Sequence, residues 1–377
     1  MDESSKVIHS EDLKEQESEY YDLSAIEKFN SHYNVIFGKR SNGKTYALLK
    51  KIIYEYAKHG KQGAYLRRYR EDFKGKRGAT LFEGLVANDE ISKATNGQWS
   101  TVRFYSDRWY FAKKVEDDKI LSDSEPFCYG FSLAQMEHDK STSYPNITTV
   151  VFDEFISRIG YLPNEFVLFM NVLSTIIRQR NNVKIYMLGN TVNKYCPYFQ
   201  EMGLGHVEEM EPGKIDIYSY GDSSLRVAVE RTRDHNIEGR KSDVYFAFDN
   251  PSLEMITGGA WELDLYPHKP KDFEDENIVF KYFIEFNDKI LQCEVVVLPD
   301  CCFTYIHRKS GEIRHPERDV VFSSKYDPRP NFIRNMKKPP NDTARKILNF
   351  FRDEKVYYQD NDVGEIVRNY FMFCQNN

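Results

Sequence analysis

The chain has 377 residues, 41% of them hydrophobic, with 52 Lys and Arg against 58 Asp and Glu and a formal net charge of -6. This length and apolar content suit a globular protein of two domains with real cores, and the charge excludes a surface uniformly positive for nucleic acid while leaving room for a local basic strip. No run of about 18 uncharged apolar residues occurs, and the start, MDESSKVIHSEDLKEQ, is acidic where a signal peptide is basic and then apolar, so neither membrane insertion nor export is expected.

Residues 1–25 are acidic and weakly periodic, and are expected to form a frayed arm or an added helix without chemistry of their own. From Asn34 the pattern changes. NVIFG reads as an apolar strand ending at Gly38, and TYALLKKIIYEYAKHG as a helix with a stop signal at Gly60. The loop between them fits G-x-x-x-x-G-K-[ST] at Gly38, Gly43, Lys44 and Thr45. That spacing wraps phosphates in backbone N–H groups at a helix N-terminus. The nucleotide-binding stretch is therefore Gly38, Lys39, Arg40, Ser41, Asn42, Gly43, Lys44, Thr45 and Tyr46, with Lys44 reaching the β and γ phosphates and Thr45 giving its hydroxyl to Mg²⁺. The plain alternative is a basic helix cap.

QGAYLRRYR (62–70) reads as a second strand, and RRYREDFKGKR (67–77) holds six basic residues against two acids. A hairpin is expected over 100–114, turning at Ser106 and Asp107, and a further strand over 127–135. ITTVVFDEF (147–155) is an apolar run that closes in two carboxylates. Asp153 takes the Walker B position that completes a Mg²⁺ shell, and Glu154 is the general base for an attacking water; a strand end with solvated acids is the other reading. The helix expected over 165–182 ends with Arg178 and Arg180, which either cap its dipole or supply the cation that neutralises charge on a γ-phosphate, Arg178 foremost. VKIYMLGNT (183–191) is a buried strand whose Asn190 and Thr191 either sense the γ-phosphate or form a strand-end turn. Asn193-Lys194-Tyr195-Cys196 lacks the acid of a guanine motif, which favours ATP over GTP. Strands alternating with helices imply an α/β domain with a predominantly parallel sheet.

Beyond about residue 205 the chain becomes more charged, as a closing strand followed by a linker or lid. IVFKYFIEF and ILQCEVVVL are then two strands joined at Asn287-Asp288-Lys289, FTYIHR is a third, and two amphipathic helices follow at about 342–352 and 362–374. The six cysteines show no C-x-x-C spacing and suit reduced thiols. Cys301, Cys302 and His307 are not read as a metal site, because adjacent cysteines splay apart on a strand and no fourth ligand lies nearby.

At this point the residues resemble a known family, the DNA-packaging ATPases (encapsidation proteins) of phi-29-like short-tailed phages, distant relatives of large terminases. The resemblance rests on FGKRSNGKTY, AYLRRYR, DKSTSYPNITTVVFDEF, YLPNEF, and IIRQRNNVKIY followed by NKYCPYF. It covers residues 30–205 well and the rest in outline. It implies a RecA-like (ASCE) P-loop ATPase domain followed by a smaller α+β RNase H-like C-terminal domain. The boundaries expected are an arm at 1–25, the ATPase domain at 26–230, a linker or lid at 231–255 and the C-terminal domain at 256–377.

The resemblance further implies ATP and Mg²⁺ as cofactors and a homo-oligomeric ring, a pentamer, at the portal vertex of a prohead. Double-stranded DNA, the portal and a packaging RNA are the implied partners, the host cytoplasm the location, and no membrane is involved. Lys44 and Thr45 become the Walker A pair, Asp153 and Glu154 the Walker B aspartate and catalytic glutamate, and Arg178 a finger acting in trans with Arg180 or Lys140 beside it. Arg70, Lys74, Lys76 and Arg77 become candidates for contacts to DNA phosphates, which carry no base specificity and weaken with salt; a solvated loop is the alternative. The C-terminal acids Glu262, Asp264, Glu285, Glu294 and Asp300 form no recognisable site, so a nuclease-like shell without cutting activity is expected. The competing readings are a terminase-like enzyme with an active nuclease and a P-loop switch for assembly.

Overall fold

A computed structural model describes residues 6–12, 21–40, 42–115, 119–134, 142–158, 160–191, 193–233, 266–268 and 271–376. The chain divides into two compact units, Met1–Trp261 and Glu262–Asn377. Among the described residues no helix is long and apolar enough to cross a membrane.

The first unit begins with β1 (Lys6–Asp12), α1 (Ser24–Glu27), β2 (Tyr33–Gly38), α2 (Lys44–His59) and β3 (Gln62–Arg67). Three short helices follow, α3 (Lys76–Thr80), α4 (Glu83–Ala87) and α5 (Glu90–Ala94), then β4 (Thr101–Tyr105), β5 (Arg108–Lys114), β6 (Ile120–Ser122) and β7 (Cys128–Ser132). The unit continues through β8 (Ile147–Asp153), α6 (Glu165–Ile177), β9 (Lys184–Asn190), α7 (Pro197–Glu201), β10 (Lys214–Ser219) and β11 (Arg226–Arg231). One sheet holds the strands in the order β1-β10-β11-β2-β9-β8-β3-β7-β5-β4, with β6 also on β5. From β11 to β7 the neighbours run parallel, and antiparallel strands extend both ends. β9 lies between the strand that enters the glycine loop and the strand that ends in Asp153, which is the RecA-like (ASCE) arrangement.

Alternation along the central strands sends side chains to two cores. Val35, Phe37, Val150, Phe152, Ile185 and Met187 face α6, which buries Phe169, Val172, Leu173 and Ile176, one stripe at helical spacing. Ile36, Tyr65, Val151, Tyr186 and Leu188 face α2, which buries Leu48, Leu49, Ile52 and Ile53. Each such side chain contributes roughly 1.5–3 kcal/mol. The approach of α2 to β3 is so close that a Cβ at Gly63 would fall 2.6 Å from Ile52.

Three local readings change. Lys6–Asp12, expected as arm or helix, is a strand that pairs antiparallel with the outer edge of β10 and satisfies backbone groups that edge would otherwise expose. The helices α3–α5, unread in the sequence, each have five residues, too few to show a 3.6-residue period. The helix expected to reach residue 182 stops at Ile177, where Arg178 takes φ 52° and ψ -120°. Of the expected linker or lid at 231–255, the part beyond Arg233 lies outside the described residues.

The second unit contains β12 (Ile278–Phe286), β13 (Lys289–Val297), β14 (Cys302–Arg308), β15 (Val320–Ser323), β16 (Phe332–Ile333), α8 (Asp342–Arg352), β17 (Val356–Tyr358) and α9 (Asn361–Asn376). Its sheet order is β16-β15-β12-β13-β14-β17. Three antiparallel strands continue into β15 and β16, both parallel to β12, which is the strand order of an RNase H-like sheet. The β12–β13 turn has positive φ at Asn287 and Asp288, as a two-residue hairpin needs. α8 is capped by Asn341, whose side chain accepts from Ala344 N at 2.9 Å.

Candidate nucleotide site

The loop after β2 turns into α2 through Gly43, whose φ of 92° belongs to the left-handed region that favours glycine. Lys44 opens the helix and is only 6% exposed. Its Nζ donates to Lys39 O at 2.6 Å and to Asn42 Oδ1 at 3.0 Å. Burial pushes the Lys44 ammonium down to about 8, against the pull of Asp153 and Glu230.

Asp153 sits at the end of β8, next but one to β2. Its Oδ2 accepts from Thr45 Oγ1 at 3.1 Å and from Tyr65 Oη at 2.7 Å, and its Oδ1 accepts from Glu154 N at 2.9 Å. Burial raises the Asp153 carboxyl, while Tyr65 and Arg67 oppose the rise. A hydroxyl and a carboxylate brought into contact beside a phosphate loop are the oxygen donors that Mg²⁺ takes, so these residues fit that ion. A cleft of about 330 Å³ joins Asn42, Gly43, Lys44, Thr45, Tyr46, Asp153, Glu154, Leu188, Gly189 and Asn190. The loop, the carboxylates of Asp153 and Glu154 and the end of β9 thus line one space.

Glu154 has φ 57°, and its side chain is 58% exposed. Two arginines from the end of β3 hold it. Arg67 Nη2 donates to Glu154 Oε2 at 2.6 Å, its Nε donates to Asp72 Oδ2 at 3.3 Å, and its Nη1 lies 3.9 Å from Asp153 Oδ2. Burial works against the Arg67 charge, and Tyr65, Glu154, Asp153 and Asp72 more than restore it. Arg68 donates to Glu154 O at 3.2 Å and Phe155 O at 2.9 Å, and makes a two-pronged pair with Glu165 at 2.7 and 2.8 Å. Glu165 also accepts from Tyr198 Oη and Leu162 N. Arg67 and Arg68 therefore belong to the site and not to an outward basic strip, because long-range carboxylates claim both.

Other predicted residues are placed as follows. Asn190 lines the cleft, and Thr191 is buried with its N–H on Gly38 O at 3.3 Å. Tyr46 Oη accepts from Asn88 Nδ2 at 3.0 Å, tying the helix start to the end of α4. Arg178 donates to Thr142 O at 2.8 Å, close to the start of β8. Since Asp153 closes the seven residues of β8, Arg178 is a strand length of ~20 Å from its own loop. Arg180 donates to the carbonyls of Tyr144, Pro145, Ile147 and Ile176, fastening the end of α6 to the start of β8. Arg70 pairs with Asp107 at 3.4 Å, Lys74 with Glu71 at 3.0 Å, and Arg77 reaches Asp72 at 4.0 Å. Lys76 is exposed and makes no ion pair among the described residues. Ser41 and Lys140 lie outside the described residues.

The sequence also gave no sign of what lies behind the loop. β11 runs parallel to β2 and carries Glu230, 2% exposed, which accepts from Tyr21 Oη at 2.8 Å. Burial raises the Glu230 carboxyl to about 7, with the Tyr21 hydrogen bond opposing. Tyr21 N donates to Asn42 O at 2.9 Å, and Thr232 N to Phe37 O at 2.9 Å.

In the second unit, Glu285 accepts from Ser323 Oγ at 2.9 Å. Glu294 is 2% exposed, accepts from Gln292 at 2.7 Å and faces His307 and Lys271 at 3.5 Å. Asp300 lies between β13 and β14, and Glu262 and Asp264 lie outside the described residues. Among the described residues no group of three or more His, Cys, Asp or Glu side chains is placed to hold a metal ion.

A family model described as podovirus DNA encapsidation protein (Gp16) matches residues 15–242. The DNA packaging protein of Bacillus phage B103 is 32% identical over 174 residues, 45% of this chain and 48% of that protein. The DNA packaging protein of Bacillus phage phi29 is 27% identical over 183 residues, 48% of this chain and 49% of that protein. The matched region thus spans about half the length of these relatives. Among solved structures, the bacteriophage Phi-29 viral genome packaging motor assembly aligns with a TM-score of 0.54 at 20% identity, covering 96% of this chain and 100% of that one. The Phi-28 gp11 DNA packaging motor aligns at 0.52 and 17% identity, covering 94% and 98%. These two likenesses establish the fold over both units.

Proposed function

The chain belongs to the podovirus DNA encapsidation protein (Gp16) family, and from that premise we propose that it is an ATP-driven translocase that packages double-stranded DNA into a prohead. The observation that carries the reading is the 3.1 Å contact of Thr45 with Asp153 beside a buried Lys44 and an adjacent Glu154. Thr45 and Asp153 would hold Mg²⁺, which would supply positive charge to offset that of the phosphates. Lys44 and the loop N–H groups grip the phosphates. Glu154 takes a proton from the water that attacks the γ-phosphorus as the bond to the ADP oxygen breaks. Asn190 and Thr191 sense whether that phosphate is present.

Arg178 is too far from its own loop to meet those phosphates, and its strained backbone is the kind of feature that surrounding structure retains for function. We assign it the finger role on a neighbouring subunit of a ring, proposed as a pentamer, with Arg180 bracing the helix end and Lys140 a further candidate. Arg70, Lys74, Lys76 and Arg77 form the proposed DNA-facing group, Lys76 foremost because its charge is least committed. The second unit serves as a non-cutting RNase H-like shell that docks on the portal, DNA or a packaging RNA. The working parts are the ATPase at 26–230, with Lys6–Asp12 added as an edge strand of its sheet, a linker or lid at 231–255 and the shell at 256–377, acting in the host cytoplasm and at the portal vertex.

The test is ATP hydrolysis by the full chain with and without non-specific double-stranded DNA across salt concentrations, beside Lys44→Ala and Arg178→Ala. Salt-sensitive stimulation by DNA is expected, with each variant inactive alone and activity returning when the two are mixed. Turnover indifferent to DNA, with no recovery on mixing, would replace the motor with a nucleotide switch.

A further inference from the structure

Asn42 is 8% exposed, and its side-chain amide is fixed from two directions. Nδ2 donates to Thr232 Oγ1 at 2.9 Å, which leaves Oδ1 turned into the loop. There Oδ1 accepts from Lys44 Nζ at 3.0 Å and lies 3.4 Å from Lys44 N. A flipped amide would set an NH₂ group against an ammonium, donor against donor, so the observed orientation is the one the site enforces.

Thr232 is itself locked in place. Its N–H bonds to Phe37 O at 2.9 Å, and its hydroxyl sits 2.0 Å from where a Cβ at position 38 would be, so only glycine there lets it approach. Thr232 follows β11 directly and therefore rides on the strand paired with β2. Nothing in the motif G-x-x-x-x-G-K-[ST] requires an amide at position 42 or a hydroxyl at 232.

We propose that Asn42, aimed by Thr232, is a built-in stand-in for a phosphate oxygen. Beside Lys39 O at 2.6 Å, it engages Lys44 Nζ at 3.0 Å, so binding a nucleoside diphosphate or triphosphate is an exchange in which a phosphate oxygen replaces Asn42 Oδ1. Release is the reverse exchange, with Asn42 reclaiming the ammonium. Apparent affinity is then reduced by the fraction of loops whose lysine is engaged, and product leaves faster than it would from an unopposed lysine. Asn42 and Thr232 are positioning residues in this scheme, acting only through Lys44. The inference rests on the nucleotide reading of the loop.

The test is the dissociation constant and release rate of a fluorescent ADP analogue on the full chain, with thermal unfolding midpoints confirming that each variant folds. Asn42→Ala and Thr232→Val should each tighten ADP by about three- to tenfold, mainly through slower release. The double variant should bind no tighter than Asn42→Ala alone, and Thr232→Ser should behave as wild type. Asn42→Asp, which sets a charged competitor on Lys44, should weaken ADP by about tenfold or more. Weaker or unchanged binding by Asn42→Ala, multiplying effects in the double variant, or wild-type binding by Asn42→Asp would each overturn the exchange. Lys44→Ala tests the underlying reading separately: if it retains ADP, the loop is not a phosphate cradle, whatever Asn42 does.

Discussion

Arg67 donates from Nη2 to Glu154 Oε2 at 2.6 Å, so the residue proposed to accept a proton from water spends that carboxylate on a guanidinium. A carboxylate oxygen engaged by a guanidinium is not free to accept a hydrogen bond from the attacking water, and it becomes free when the pair parts. Arg67→Ala is therefore expected to bring DNA-free and DNA-stimulated turnover to within about twofold of each other. Steady-state hydrolysis in the two conditions measures this, and a ratio equal to that of the wild type would remove Arg67 as a restraint on Glu154.

Glu154→Gln keeps the shape of the side chain and removes the proton acceptor. ATP binding should stay close to wild type, while hydrolysis falls by about 10²- to 10⁴-fold. Equilibrium binding beside single-turnover hydrolysis separates the two, and a variant that loses ATP binding would make Glu154 part of the cradle.

The pair Arg68–Glu165 is almost wholly buried, at 7% and 3% exposure, and fixes the backbone of Glu154 and Phe155. Removing one partner leaves an uncompensated charge in the core. Glu165→Ala should cost about 3–5 kcal/mol of stability, read from denaturant unfolding of the full chain. A loss below about 1 kcal/mol, the scale of an exposed pair, would contradict the burial.

Glu230 provides a pH test. Its carboxyl is raised to about 7 in the folded chain, so between the ordinary carboxylate value and 7 the folded state binds more protons than the unfolded state. Stability from this group is greatest at low pH and declines as pH rises through that window, by about 3 kcal/mol in total. Glu230→Gln retains an acceptor for Tyr21 and should gain on wild type as pH goes from 5 to 7, a range in which Lys44 stays protonated. Thermal unfolding at pH 5, 6 and 7 measures the gap, and a gap that does not widen would mean Glu230 stays ionised.

How much of the site was legible depended on sequence distance. Lys44 and Thr45 are adjacent at the start of a helix that follows an apolar strand and a glycine loop, Asp153 and Glu154 are adjacent at the end of an apolar strand, and the structure brings the two pairs together. Arg67 and Arg68 were counted only as part of a basic stretch and given no place in the site, because the carboxylates that claim them lie 87 and 97 residues away. Glu230 and Thr232 carried no signal, since only the pairing of β11 with β2 brings them behind the loop. In the second unit the β12–β13 hairpin and both helices could be read from their turns and periods, whereas β15, β16 and β17, of two to four residues, are too short for a pattern to emerge.

The separation of Arg178 from Lys44 by the length of β8 has a kinetic consequence. On the function proposed above, one folded chain carries a phosphate cradle at one end of its sheet and, at the other, an arginine that serves a neighbour's cradle. Specific activity, the rate per milligram, should then climb on concentrating the protein and collapse on dilution, while nucleotide occupancy per chain stays level. A dilution series would expose that divergence without any substitution at all.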